Sequence, residues 1–127
     1  MAEIKAVLFD KDGTLVDFDA TWRPTYMAVA HEIFAGDPGL IRHVLEAGGM
    51  TADGHFAPGS LLAAGSYAEI AKAWAALAPD LPADGALRRI TPLLEGGAIA
   101  NAEPLVDIEK LFTELRAAGY RLGVATN

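Results

Sequence analysis

The sequence predicts an α/β fold, a parallel-sheet core that is incomplete in this chain and is interrupted after its first strand by a helical insertion. Three observations lead there. An apolar run, Val7-Leu8-Phe9, ends abruptly in the polar turn Lys11-Asp12-Gly13. A second apolar segment, Tyr120 to Thr126, lies at the far end of the chain and follows an amphipathic helical pattern. Between them, roughly residues 18 to 98 are rich in alanine and carry helix signals without a convincing strand. Helix, glycine, strand is half of a βαβ unit, so the two strands are expected to be parallel neighbours in one sheet.

Taken in order, Glu3 to Asp10 reads as a short strand whose consecutive apolar residues suit a sheet covered on both faces. Residues 1–16 are assigned to the core. The insertion is placed at 17–98. In it, Asp37-Pro38 is an N-cap with proline at N1, leading into Leu40, Ile41, Val44 and Leu45. Gly48-Gly49 to Pro58-Gly59-Ser60 is loop-like. Ser66-Tyr-Ala-Glu69 is a capping box opening a helix through Ile70, Trp74 and Leu77, closed by Pro79. A third helix runs from about Ala83 to Glu95, with Pro92 weakening its continuity. Residues 99–127 return to the core. Leu105, Ile108, Leu111, Phe112 and Leu115 fall at helical spacing, and Gly119 is placed as the C′ residue.

Composition narrows the function. The chain has 127 residues, 52% hydrophobic, which is enough for a real core and argues against disorder. No apolar run approaches the ~20 residues of a membrane span, and no secretory signal is legible. There are no cysteines, so disulfide scaffolds and thiolate metal sites are excluded. Seventeen acidic against ten basic side chains, a net charge of -7, disfavours nucleic acid as a partner. A cytoplasmic protein acting on a small molecule is expected.

The chemistry is concentrated in Phe9-Asp10-Lys11-Asp12-Gly13-Thr14-Leu15. Two carboxylates two residues apart in extended chain project to the same side. At the carboxyl end of a parallel strand they would face the crevice where open α/β sheets bind ligands. Like charges this close need a cation or a shared proton, and hard oxygens of this kind suit Mg²⁺ together with phosphate oxygens. Gly13 permits the sharp turn that follows. A carboxylate can attack phosphorus and form an acyl phosphate. A second one can protonate the leaving alcohol and then deprotonate the hydrolytic water. The residues therefore suit phosphoryl transfer, with Asp10 as nucleophile and Asp12 as proton carrier.

Here the sequence resembles the haloacid dehalogenase superfamily, in particular its phosphoglycolate phosphatase-like phosphatases with a helical cap after the first strand. Asp10-Lys-Asp-Gly-Thr14 matches the family's first motif, D-x-D-G-T, and Val124-Ala-Thr126-Asn127 matches the second. The resemblance implies a Rossmann-like core with a C1-type cap serving as a lid. It implies that Asp10 is nucleophile and metal ligand, and that Asp12 is general acid/base and binds Mg²⁺ through its main-chain carbonyl. Thr126 would hold the phosphate by its hydroxyl, with Asn127 beside it and Gly13 completing the phosphate site. The substrate would be a small phosphorylated metabolite, phosphoglycolate-like. The family's lysine motif and its later acidic strand normally follow the second motif and are not present in the sequence. The chain is therefore expected to be the N-terminal part of a longer enzyme, with little activity alone, and its exposed apolar surface predicts self-association.

Competing readings carry their own markers. A phosphomutase of the same superfamily shares both motifs, and a truncated, non-catalytic module would follow from the absent ones. Dehalogenases lack the second aspartate, so Asp12 favours phosphate chemistry. Elsewhere the plainer readings are favoured: Lys11 in solvent, Asp17 and Asp19 as a polar hinge, Trp22 and Trp74 as packing. His31 and His43 are read as exposed or capping, and Arg23, Arg42 and Lys72 as solvent-facing helix charge. His55, in the glycine-bordered loop, is the histidine best placed for substrate contact, although a solvated loop position is favoured.

Overall fold

In the computed structural model, which describes residues 3–126, the first strand β1 spans Ala6–Asp10. Six helices and a second strand follow. They are α1 (Phe18–Ile33), α2 (Pro38–Ala47), α3 (Leu61–Ala64), α4 (Tyr67–Ala75), α5 (Ala83–Asn101), α6 (Ile108–Ala117) and β2 (Arg121–Ala125). The chain divides into two compact units, one of Met1–Phe18 with Ala102–Asn127 and one of Asp19–Asn101. No helix among the described residues is long and apolar enough to cross a membrane.

The first unit is a two-stranded parallel sheet with α6 on one face. β1 and β2 pair in register from Ala6 opposite Arg121 to Asp10 opposite Ala125. α6 begins later than the apolar spacing suggests. Asp107 caps it by accepting the Lys110 N–H at 3.0 Å, which leaves Leu105 and Val106 before the helix and exposed. Its end is a Schellman motif: Gly119, at φ +91°, donates to Arg116 and Tyr120 donates to Leu115. Phe9 meets Phe112 of α6, ring centroids 5.4 Å apart.

The apolar run of β1 suits a sheet covered on both faces, and the exposed apolar surface expected of two strands with one helix lies on the other face. Side chains alternate along a strand, and the residue after α6-facing Val7 points the other way: Leu8 is 71% exposed. It leans over Gly123, where an added Cβ would lie 3.0 Å from Leu8 Cδ1. Leu15 is the one buried apolar side chain of this unit among the described residues; all the others belong to the second.

That second unit is helical and carries the core. α1 places Trp22, Tyr26, Val29, Ala30 and Ile33 on one buried stripe despite Pro24 inside it. The Asp37 cap and proline start of α2 form as the sequence predicts, with Asp37 accepting from Gly39 and Leu40 N–H. The Ser66–Glu69 capping box of α4 is present in both directions. α5 continues six residues past the expected end at Glu95, through Pro92. Its buried Ala86, Ile90 and Leu94 recur every four residues, and this packing outweighs the missing proline N–H. The loop after α2 contains a small hairpin, with Met50 bridging antiparallel to Phe56.

Candidate active site

The candidate site lies wholly in the first unit, at the carboxyl edge of the sheet. Asp10 is the last residue of β1 and stands opposite Ala125, the last residue of β2. Parallel strands finish at the same edge, about 4.8 Å apart. Thr126 is therefore the next residue out from Asp10's own partner, and both are exposed. The Lys11 N–H donates to Asp10 Oδ1 at 2.9 Å, which fixes the carboxylate at the mouth of the turn. Asn127 lies outside the described residues.

The strand stops at Asp10, so strand alternation does not by itself aim Asp12. A turn does. The Lys11 carbonyl accepts from the N–H groups of Thr14, Leu15 and Val16 at 3.3, 2.9 and 3.1 Å. Gly13, at φ +77°, donates to the Val16 carbonyl at 2.8 Å. Only a residue without a Cβ adopts this backbone at no cost. Asp12 and Val16 form a parallel bridge whose two hydrogen bonds come from the Lys11 carbonyl and the Gly13 N–H. The Asp12 main chain thus faces the opposite edge of the turn. Its carboxylate Oδ2 lies 3.7 Å from Lys11 Nζ, a contact of little energy at this exposure.

Two features of this loop are missed by reading the sequence. Leu15, 4% exposed, pins the turn into the unit. Residues 15–17 run antiparallel to 103–105: Asp17 N–H donates to the Glu103 carbonyl at 2.8 Å and Leu105 N–H to the Leu15 carbonyl at 2.9 Å. The chain leaving the first unit and the chain returning to it are zipped together beside the motif. An apolar Leu15 in an otherwise polar turn is the only sequence hint, and the pairing itself has none.

The donor set can be tested against a metal. Among the described residues no group of three or more histidines, cysteines and carboxylates is positioned to hold an ion, so a closed protein cage for Zn²⁺ or Ca²⁺ does not fit. Mg²⁺ asks for less, one or two carboxylates, with water and phosphate filling the octahedron. The Asp10 carboxylate meets that demand, with the Asp12 main-chain carbonyl as a further hard oxygen.

Most other residues singled out from the sequence lie in the helical unit, while Asp17 belongs to the first unit. Trp22 is buried, stacked on Tyr26 at 5.3 Å and edge-on to Tyr67 at 6.4 Å, a packing role. Trp74 is buried against Phe34 at 5.8 Å. Arg42 and Lys72 are exposed on α2 and α4. Arg23, exposed on α1, packs over the backbone of Gly54. His55 Nδ1 is 2.7 Å from Asp19 Oδ2, so its best polar partner is the residue read as part of the hinge.

A family model for haloacid dehalogenase-like hydrolases matches residues 4–127, which takes in both units and the whole candidate site. No curated protein matches the chain.

Proposed function

Because the chain belongs to the haloacid dehalogenase-like hydrolases, we propose that it carries the attacking group, Asp10, for hydrolysis of a small, phosphoglycolate-like phosphomonoester, and that these 127 residues alone have little activity because the family's lysine and later acidic motifs are not among them. One observation carries the reading: the parallel register that brings Asp10 and the β2 end preceding Thr126 to one sheet edge, next to the Asp12–Gly13 turn.

In the proposed reaction a carboxylate oxygen of Asp10 forms a bond to phosphorus as the phosphorus–oxygen bond of the ester breaks. Asp12, protonated, gives its proton to the departing alkoxide, so a neutral alcohol leaves. Ionised Asp12 then takes a proton from water, whose oxygen attacks phosphorus. The Asp10–phosphate bond breaks and inorganic phosphate leaves, restoring both aspartates. The Thr126 hydroxyl and the Gly13 turn hold phosphate oxygens. Mg²⁺, held by the Asp10 carboxylate and the Asp12 main-chain carbonyl, would offset repulsion between the anionic nucleophile and the phosphate dianion. The helical unit is assigned the part of a cap that sets specificity and excludes water.

Phosphate release from a set of small phosphomonoesters, with Mg²⁺ and with chelator, by a protein that carries these residues together with the family's later motifs tests this. Asp10→Asn removes the activity. Asp12→Asn lowers it about 10²–10⁴-fold, more for alkyl than for aryl phosphates, because only the poor leaving group needs the proton. An Asp10→Asn variant that keeps its fold and the parent rate overturns the proposal.

A further inference from the structure

The 50–56 hairpin of the helical unit touches α1 through three of its residues. At its base, Phe56 meets Tyr26 edge-on at 5.6 Å. At its tip, His55 Nδ1 lies 2.7 Å from Asp19 Oδ2 in the first turn of α1. Gly54, at φ +84°, fits under Arg23 so closely that a Cβ there would be 2.6 Å from Nη1. Asp19 and Arg23 are four residues apart and so share one face of α1. The hairpin is closed within itself. Thr51 N–H donates to the His55 carbonyl at 2.8 Å, Gly54 N–H to the Thr51 carbonyl at 2.9 Å, and His55 N–H to Thr51 Oγ1 at 3.1 Å.

His55 stands between two carboxylates, with Asp53 Oδ2 3.9 Å from Nε2 on its other side. Only imidazolium offers an N–H to both; the neutral ring has one N–H and must turn a lone pair on one of them. We propose that the His55–Asp19 pair is a proton-dependent latch fastening the tip of the 50–56 hairpin to the start of α1, and that it opens when His55 loses its proton. The groups facing His55 are Asp19 and Arg23 from α1, and Asp53 and Thr51 from the hairpin itself. The bond to Asp19 does most to raise the imidazole above its ordinary 6.5. The charges of Asp53 and Asp19 add to this, and desolvation and the Arg23 charge oppose it. A raised histidine stabilises fully below its unfolded value, and that contribution is lost as pH climbs through the folded one. The latch is thus closed in mildly acidic solution and opens on the alkaline side of 6.5. The Phe56–Tyr26 contact stays in place, so the tip moves and the base does not.

NMR of the 127-residue chain reads both halves of the proposal. In the parent, the His55 imidazole titrates above its ordinary 6.5. Amide protection at Thr51, Gly54 and His55, corrected for base-catalysed exchange, falls severalfold across that same titration. In Asp19→Asn the His55 midpoint drops back toward 6.5, and protection at mildly acidic pH falls to the parent's alkaline level. His55→Gln, which leaves α1 untouched, shows low protection at every pH. If His55 titrates at or below its ordinary 6.5, or if hairpin protection ignores both pH and His55→Gln, the latch does not exist.

Discussion

Two adjacent glycines near the end of α5 should respond oppositely to the same substitution. A methyl group at Gly96 meets nothing within 4 Å, so Gly96→Ala gains only helix propensity, up to about 1 kcal/mol. At Gly97 the same methyl would lie 2.7 Å from Thr25 Cγ2 and 3.3 Å from its Oγ1. Thr25 cannot yield. It is fully buried, its hydroxyl donates to the Thr21 carbonyl at 2.8 Å, and it accepts from Asn101 Nδ2 at 3.1 Å. Overpacking of this kind costs about 1–3 kcal/mol. Gly97→Ala should therefore lose roughly 0–2 kcal/mol net, a difference of about 1–3 kcal/mol between the two variants. Thr25→Ser removes the clashing Cγ2 and keeps the hydroxyl. Combined with Gly97→Ala, it moves one methyl across the α1–α5 contact and restores most of the loss. Thermal unfolding followed by circular dichroism measures this, since each 1 kcal/mol shifts Tm by about 4–8 °C in a domain of this size. If Gly97→Ala stabilises as much as Gly96→Ala, or if Thr25→Ser fails to relieve it, the close packing of α1 on α5 is wrong.

Other substitutions test other parts of the fold. Phe9→Ala, which removes the ring packed on Phe112, should cost about 2–3 kcal/mol, whereas Leu8→Ser on the exposed face should change stability by no more than about 0.5 kcal/mol; denaturant midpoints compare them. Ala35 occupies the C′ position of α1 at φ +49°, with Gly36 N–H donating to the His31 carbonyl, so Ala35→Gly should raise stability by about 0.5–1 kcal/mol. Ser66→Ala should cost α4 about 1 kcal/mol. The Ser66 N–H and hydroxyl hold the Glu69 carboxyl below its ordinary 4.5, so this contribution is present above 4.5 and is lost as pH falls through the lowered value. Helicity of the parent should therefore fall more than that of Ser66→Ala on acidification below 4.5.

What could be read from the sequence were local signals with a local cause. Asp37-Pro38, the Ser66–Glu69 box and Gly119 each satisfy backbone groups within a few residues, and each forms as the sequence predicts. The parallel pairing of β1 with β2 followed from the helix and glycine between them. α1 and the short α3 were not legible as elements. Pro24 interrupts the α1 pattern, and its stability comes from Trp22 and Tyr26 meeting Tyr67, Phe56 and Leu62, residues distant in sequence. Leu8 is exposed, as expected for a sheet of two strands and one helix: an apolar residue in a strand states a capacity for burial, not what covers it. At the candidate site, Asp10 and Gly13 stand where the motif suggests, at a strand end and a left-handed turn. The bracing of Val16 by Glu103 to Leu105 depends on chain returning from ninety residues away, and no local pattern encodes it.

The proposed reaction requires the end of β1, the turn after it and the end of β2 to form one binding site for phosphate and Mg²⁺. Heteronuclear NMR of the chain titrated with inorganic phosphate, with and without Mg²⁺, tests it directly and needs no turnover. The amides of Lys11, Asp12, Gly13 and Thr126 should shift together and saturably, Mg²⁺ should strengthen the effect, and Asp10→Asn should abolish it. Shifts confined to one strand end, or unchanged in Asp10→Asn, would contradict it.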